Sequence, residues 1–116
     1  MTVIGYRERM SRVVEMRKIR DPLGYRSLTA TITSSGALEI HGLDIGGNAA
    51  VSDDGEYEWY KTFPAPMLPA LLHLLGADAS EEILDVIQSR YCGAGAEVFE
   101  DLVRASDLKP ELFVIS

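Results

Sequence analysis

Four carboxylates and a tyrosine between residues 53 and 60 are the densest group of side chains in this chain that could do chemistry. The group consists of Asp53, Asp54, Glu56, Glu58 and Tyr60. Carboxylates beside an exposed tyrosine can bind Lys and Arg side chains of a partner protein, with the aromatic ring as an anchor. A solvated strand face next to a polar turn would have the same residues. The pattern therefore leaves two interpretations: an acidic partner-binding patch, or a plain solvated surface.

The same carboxylates do not match a calcium loop or a catalytic pair. They lack the EF-hand spacing and its closing Glu, and no His or Lys stands near them to support acid–base chemistry. The two histidines, His41 and His73, lack the spacing of a metal-ligating pair, and we expect both to be separate surface residues. We therefore expect no metal, no cofactor and no catalytic residue. An enzyme would need His41 with Glu39, or His73, in a cleft.

The single cysteine, Cys92, excludes an internal disulfide and any cysteine-based zinc site. It falls near the end of a predicted helix, where the helix dipole disfavours a thiolate, so we expect a structural role rather than a nucleophile. The glycines at 46–47 and 93–95 lie outside any phosphate-binding motif. We interpret the second pair as a turn between two helices.

The strand that carries the acidic group leads into a helix, and we expect these two elements to organise the core. Alternation over 57–63 places Tyr57, Trp59 and Phe63 on the face opposite the acidic residues. Pro64 should end the strand, since it cannot donate to a ladder. Pro66 and Pro69 suit the first turn of a helix, and Gly76 suits its C-terminal cap. The buried stripe of that helix is predicted to be Leu68, Leu71, Leu72 and Leu75.

The remaining elements are predicted from periodicity and turn residues. Strands are expected over 12–19, 26–33, 37–43 and 111–116, and helices over 81–91 and about 95–106, although a helix competes for 12–19. Turns are expected at 21–24 and 34–36, and a long polar loop at 44–55. Asp78 or Ser80 is expected to cap the helix over 81–91, which should bury Ile83, Leu84, Ile87 and Tyr91. The last helix is expected to bury Val98, Phe99, Leu102 and Val103.

This element order predicts an α+β fold: an antiparallel sheet of about four to five strands with about three helices packed on one face. The 116 residues suit a single domain, with residues 1–11 as a loosely ordered arm.

The charge is unevenly distributed along the chain. The net charge is −7, but residues 1–35 carry seven Lys/Arg against three Asp/Glu, while residues 36–116 carry four against fifteen. Nucleic-acid binding is therefore disfavoured, and a basic protein is the better-supported partner. The sequence has no membrane-length apolar run and no signal-peptide core, which predicts a cytoplasmic protein without a membrane partner.

The run YEWYKTFPAPMLPALLHLLG, followed by ILDVIQSRY and VFEDLVRASDLKPELFV, resembles small acidic bacterial immunity proteins of polymorphic-toxin and contact-dependent growth-inhibition systems. The resemblance covers residues 25–115: an aromatic strand, a Pro-started leucine helix, a helix ending in an aromatic residue, and a short last strand. It implies a cytoplasmic inhibitor, not an enzyme, that binds the C-terminal domain of a cognate toxin, commonly a nuclease. Nuclease toxins are basic, so an acidic inhibitor is their electrostatic complement. The resemblance assigns no contact residues.

A second interpretation is a small-molecule-binding or regulatory domain without catalytic activity. In that case Tyr57, Trp59 and Phe63 would line a pocket instead of a closed core. A homodimer formed through an open sheet edge belongs to the same alternative.

Overall fold

Five antiparallel strands form one sheet in which every strand pairs with its neighbours in sequence, in the order β1-β2-β3-β4-β5. The structure, a computed structural model, describes residues 12–46 and 56–115. The strands are β1 (Val13–Asp21), β2 (Gly24–Ile32), β3 (Leu38–Ile45), β4 (Glu56–Phe63) and β5 (Glu111–Val114). The expectations for residues 1–11 and for most of the 44–55 loop, including Asp53 and Asp54, lie outside the described residues.

Helices follow the fourth strand and pack on one face of the sheet. A 3-10 turn (Ala65–Met67) leads into α1 (Leu68–Leu74), then α2 (Ile83–Arg90) and α3 (Ala94–Ala105). This arrangement confirms the predicted α+β class. No helix in the described parts of the chain is long and apolar enough to cross a membrane.

Alternate residues of β1 to β4 and one stripe of each helix form a single apolar core. Phe63 is fully buried and meets Phe99 of α3 edge to face, with ring centroids 6.3 Å apart. Other fully or nearly fully buried core residues are Met16, Leu28, Ala30, Leu38, Ile40, Leu71, Val86, Ile87 and Ala96. Their burial supplies the main stabilisation of the fold, because apolar area removed from water contributes about 25 cal/mol per Å².

The first two strands form a hairpin with a two-residue turn, as predicted for 21–24. Asp21 pairs with Gly24, and the Oδ1 atom of Asp21 accepts a 3.0 Å hydrogen bond from the backbone N–H of Leu23. Gly24 has a φ of +134°, and a Cβ atom there would lie 2.1 Å from the carbonyl oxygen of Ile45. Only glycine fits this close approach of two backbones.

The first strand is confirmed over the competing helix, but its alternation is interrupted. The pairing register shifts between Glu15 and Arg17, as at a β-bulge. Arg17 therefore takes the inward direction after Met16, and its Nη2 atom lies 2.7 Å from Oε1 of Glu100 on α3. An uninterrupted alternation would put Lys18 on the same face as Val14 and Met16, but the bulge moves it to the opposite face.

The leucine helix ends as predicted, with Gly76 at a φ of +76°. The N–H groups of Gly76 and Ala77 donate to the carbonyls of His73 and Leu72, at 3.0 and 2.9 Å. These bonds satisfy carbonyls that the last helical turn leaves unpaired. Leu68 is only half-buried, while the other three leucines of the predicted stripe are buried.

Several predictions about the later helices are wrong in detail, and Tyr91 and Leu102, which were expected to be buried, are only half-buried. Helix α2 begins at Ile83, after Glu82, and no side chain caps it. Asp78 does bond with Glu81, whose Oε2 atom accepts from the Asp78 N–H at 2.9 Å, but this contact closes a turn ahead of the helix. Val98 is 50% exposed, because the inward stripe of α3 runs through Ala96, Phe99 and Val103.

The aromatic face of β4 joins the core only in part. Phe63 is a core residue, Trp59 packs against the core while remaining partly exposed, and Tyr57 lies outside the core. The indole of Trp59 covers Gly42 of β3, where a Cβ atom would come within 2.2 Å of the ring. Gly42 is therefore the residue that admits the Trp59 ring onto the sheet.

Candidate functional site: an acidic and aromatic sheet face

The face of the sheet opposite the helices, called the open face below, has no described helix packed on it. One row of residues crosses it through cross-strand pairing. Thr29 pairs with His41, His41 with Tyr60, and Tyr60 with Phe113. Directly paired residues of antiparallel strands share a face, so the last three rings of this row lie side by side.

His41, Glu58 and Tyr60 form a bonded cluster at the centre of the open face. The rings of His41 and Tyr60 are stacked, with centroids 4.5 Å apart and planes 19° apart. The Nε2 atom of His41 lies 2.7 Å from Oε2 of Glu58, and the Tyr60 hydroxyl donates to the same oxygen at 3.3 Å. An ionised carboxylate can only accept, so both partners donate to it. These contacts hold the three side chains in defined positions on the open face.

The cluster remains accessible from solvent. The side chains of His41 and Glu58 are 29% and 24% exposed. Partial burial, followed by the negative charge and the hydrogen bond of Glu58, raises the pKa of Tyr60 above its usual value. The ring is thus a neutral hydrogen-bond donor at physiological pH.

Replacing Glu58 with Gln should lower the pKa of Tyr60 towards its ordinary value, because the amide removes the neighbouring negative charge and still accepts a hydrogen bond. The folded protein holds this proton more tightly than the unfolded chain does. The resulting stability is therefore present below about pH 10 and lost as pH rises further. Ultraviolet titration of tyrosinate, with Tyr60→Phe to identify the signal of Tyr60, measures the shift. An unchanged titration curve in the Glu58→Gln variant would contradict the coupling.

Carboxylates surround the aromatic row on three neighbouring strands. On β3, β4 and β5 the open face carries Glu39, Glu56, Glu58 and Glu111. Among the described residues of these strands the one Lys or Arg is Lys61. It points to the helix side, where its ammonium lies 5.5 Å from the centre of the Trp59 ring. This half of the open face is therefore negative.

The opposite edge of the open face is weakly positive. Lys18 and Arg20 of β1 lie there with one carboxylate, Glu15, and the Arg20 guanidinium lies 4.7 Å above the ring of Tyr25. The uneven charge of the sequence thus becomes a charge gradient across one sheet face. Only the half formed by β3 to β5 combines carboxylates with several aromatic and apolar side chains, which include Phe113 and Ile45.

The structure places three of the five predicted site residues together. Glu56, Glu58 and Tyr60 share the open face, as the alternation predicted, while Asp53 and Asp54 lie outside the described residues. His41 and His73 lie on separate elements, as predicted, but His41 is not isolated, because its Nε2 atom lies 2.7 Å from Oε2 of Glu58.

The sequence interpretation missed the contributions of Glu39, His41, Glu111 and Phe113 to this face. The alternation of side chains along each strand predicted the face of the sheet on which each residue lies. The register between β3 and β4 could not be predicted, because residues 46–55 rather than a tight turn separate the two strands. Without that register, Glu39 was the nearest visible partner for His41.

Cys92 does not contribute to the open face. It is half-buried, and its thiol donates to the carbonyl of Ile87 at 3.5 Å. Burial, with a smaller contribution from the negative charge of Glu15, raises the pKa of the thiol.

Alkylation of Cys92 by iodoacetamide near pH 8 should accordingly be several-fold slower in the folded protein than in urea-unfolded protein. The thiolate is the reactive form, and the raised pKa lowers its fraction. Mass spectrometry of time points gives the two rates, with a short cysteine peptide correcting for the effect of urea on the reagent. A folded-state rate equal to or above the unfolded rate would contradict a structural role.

Within the described residues, no group of three or more His, Cys, Asp or Glu side chains could hold a metal ion. No family model, no curated protein and no solved structure matches this chain. Fold and site together define a class only: an α+β protein with a one-sided helix layer and an open sheet face that is acidic and aromatic over β3 to β5.

Proposed function

We propose that this protein is an immunity-type inhibitor that acts in the cytoplasm by binding a cognate toxin domain rather than by catalysis. The observation that carries the proposal is the open face over β3 to β5. There the bonded cluster of His41, Glu58 and Tyr60 lies among further carboxylates. The proposed partner is a basic protein, and a nuclease is the best candidate, because nucleases need a basic surface to hold nucleic acid.

The composition of this face suits recognition of Lys and Arg side chains. Tyrosine is enriched among the residues that dominate binding energy. The hydrogen bond to Glu58 already restricts the Tyr60 ring, so the ring would lose less conformational entropy on binding. Carboxylates around such an anchor attract a basic partner and accelerate encounter. Thr62 of β4 pairs with Glu39 of β3 on one side and with Glu111 of β5 on the other, so these two carboxylates flank it.

Competition for substrate is the mechanism that follows from this surface. A nuclease binds phosphates with the same basic residues that an acidic protein face would contact. Occupation of that basic surface would therefore exclude nucleic acid without any chemistry by the inhibitor. Binding should weaken with added salt, because exposed charges are screened.

Co-expression tests the proposal directly. The product of the neighbouring reading frame is expressed alone and with this chain, and growth and co-purification are followed. The expected result is growth arrest by the neighbour alone, rescue by this chain, and a complex that survives purification at low salt. A harmless neighbour that forms no complex would overturn the proposal.

A further inference from the structure

The last strand exposes apolar side chains on both of its faces. Leu112 is 59% exposed, Phe113 65%, Val114 43% and the following Ile115 50%. No residue of β5 joins the core that the helices form with the other four strands, so Leu112 and Val114 remain exposed on the helix side. Isolated exposed apolar residues are common, but four consecutive ones on an edge strand are a typical association site.

The backbone of β5 also presents unused hydrogen-bonding groups. In the described residues the sheet ends at β5, which pairs with β4 alone. The Ile115 N–H donates to the Glu58 carbonyl at 2.8 Å, so Ile115 and, by alternation, Phe113 direct their backbone groups to β4. The N–H and C=O groups of Leu112 and Val114 consequently point outward, away from the sheet.

We propose that the outer edge of β5 pairs with β5 of a second copy of this chain, antiparallel across a two-fold axis. Leu112 of one copy would exchange both backbone hydrogen bonds with Val114 of the other, and the two Phe113 residues would face each other. The two sheets would become one sheet of ten strands. This dimer forms along a sheet edge and needs no toxin, but its Phe113 and Glu111 side chains belong to the acidic half of the open face.

The charge pattern of the strand favours self-pairing. In this register Glu111 lies opposite Ile115 of the second copy, and no like charges oppose each other anywhere along the paired segment. A two-fold interface requires a surface that complements itself, and the apolar segment from Leu112 to Ile115 does so. The two-fold axis is perpendicular to the sheet, so the helices of both copies lie on the same side of it. On that side Leu112 of each copy would contact Val114 of the other.

The size of the interface sets its strength. A four-residue strand buries less than the roughly 800 Å² per partner of a standard stable interface, so the dimer should form only at high protein concentration. Each copy carries a net charge of −7, and this repulsion weakens association at low salt. Added salt should therefore strengthen the dimer, which is the opposite of its effect on a basic partner.

Sedimentation velocity tests the proposal between about 5 and about 500 µM protein, concentrations that span a weak association. The expected result is a 12.7 kDa species at the low end and a rise towards twice that mass at the high end. Val114→Pro should abolish the rise, because proline removes one outward N–H and leaves the β4 ladder intact. Its circular dichroism and melting at low concentration should match the wild type.

A matched pair of charge substitutions provides a second measure. Leu112→Lys should keep the protein monomeric, while Val98→Lys, an exposed apolar residue on α3, should dimerise as the wild type does. If Val114→Pro proves unfolded, this pair decides the question. A wild type that stays at monomer mass throughout, or a Leu112→Lys variant that dimerises normally, would overturn the proposal.

Discussion

Replacing Phe63 with Ala should lower the free energy of unfolding by about 3–5 kcal/mol, the usual cost of removing a buried phenyl ring. Phe63 is fully buried at the end of β4, pairs with Leu38 and meets Phe99 edge to face. The surrounding side chains come from both layers, so they can fill the cavity only by moving sheet and helices together. Small domains have about 5–15 kcal/mol of stability in total, so this loss is a large fraction.

Urea denaturation followed by fluorescence of Trp59, the one tryptophan, measures this loss. Phe113→Ala is the matched control: the same truncation on the neighbouring strand, at a ring that is 65% exposed. At low protein concentration, where the proposed dimer is dissociated, its effect should stay within about 0.5 kcal/mol. Equal losses in the two variants would show that Phe63 does not hold the sheet to the helices.

Reversing two charges on the open face should have the largest effect on binding. The double variant Glu39→Lys/Glu58→Lys places positive charges in the centre of the acidic half and removes the acceptor shared by His41 and Tyr60. Against a basic toxin domain we expect at least about a 100-fold loss of affinity, since like-charge contacts across an interface cost several kcal/mol. Calorimetric titration with the purified toxin domain measures the change.

The control for this experiment changes the same amount of charge elsewhere. Glu97→Lys/Asp101→Lys alters two exposed carboxylates on α3, in the helix layer on the other side of the sheet. Its affinity should fall by less than about tenfold, through long-range electrostatics alone. Similar losses in both double variants would mean that net charge rather than the open face determines binding. No loss in either would assign the toxin to another surface.

A further single variant separates charge from ring orientation at the same site. Glu58→Gln keeps an acceptor for Tyr60 but removes the negative charge, so its affinity should fall less than that of the charge reversal. Together with the Tyr60 titration, it shows whether Glu58 acts mainly by attracting the partner or by holding the ring.

Local patterns were sufficient to predict most of the elements. Asp21 and Gly24 bound a two-residue turn, Pro66 and Pro69 begin helical turns, and Gly76 ends a helix in the left-handed region. Each of these depends on the conformational limits of one residue or on a bond across a few residues. Such preferences act whatever the rest of the chain does, so sequence alone reveals them.

Errors arose where a local pattern competed with packing. Asp78 and Glu81 form the bond of a capping box, yet the helix begins later because Ile83 and Leu84 are the first residues of that segment to reach the core. In α3 the apolar periodicity predicted a buried stripe that includes Val98. Contact with the core instead buries Ala96 together with Phe99 and Val103 and leaves Val98 exposed.

The sequence by itself determined the composition of the candidate surface: alternation along β4 put Glu56, Glu58 and Tyr60 on one face, opposite Phe63. Only the tertiary structure decided that His41 bonds to Glu58 and that Phe113 extends the aromatic row. Both contacts depend on the register between strands distant in sequence, and one residue of slip would send every side chain of a strand to the other face. The exposure of β5 was decided in the same way, because the core that the helices form with β1 to β4 includes no residue of the last strand.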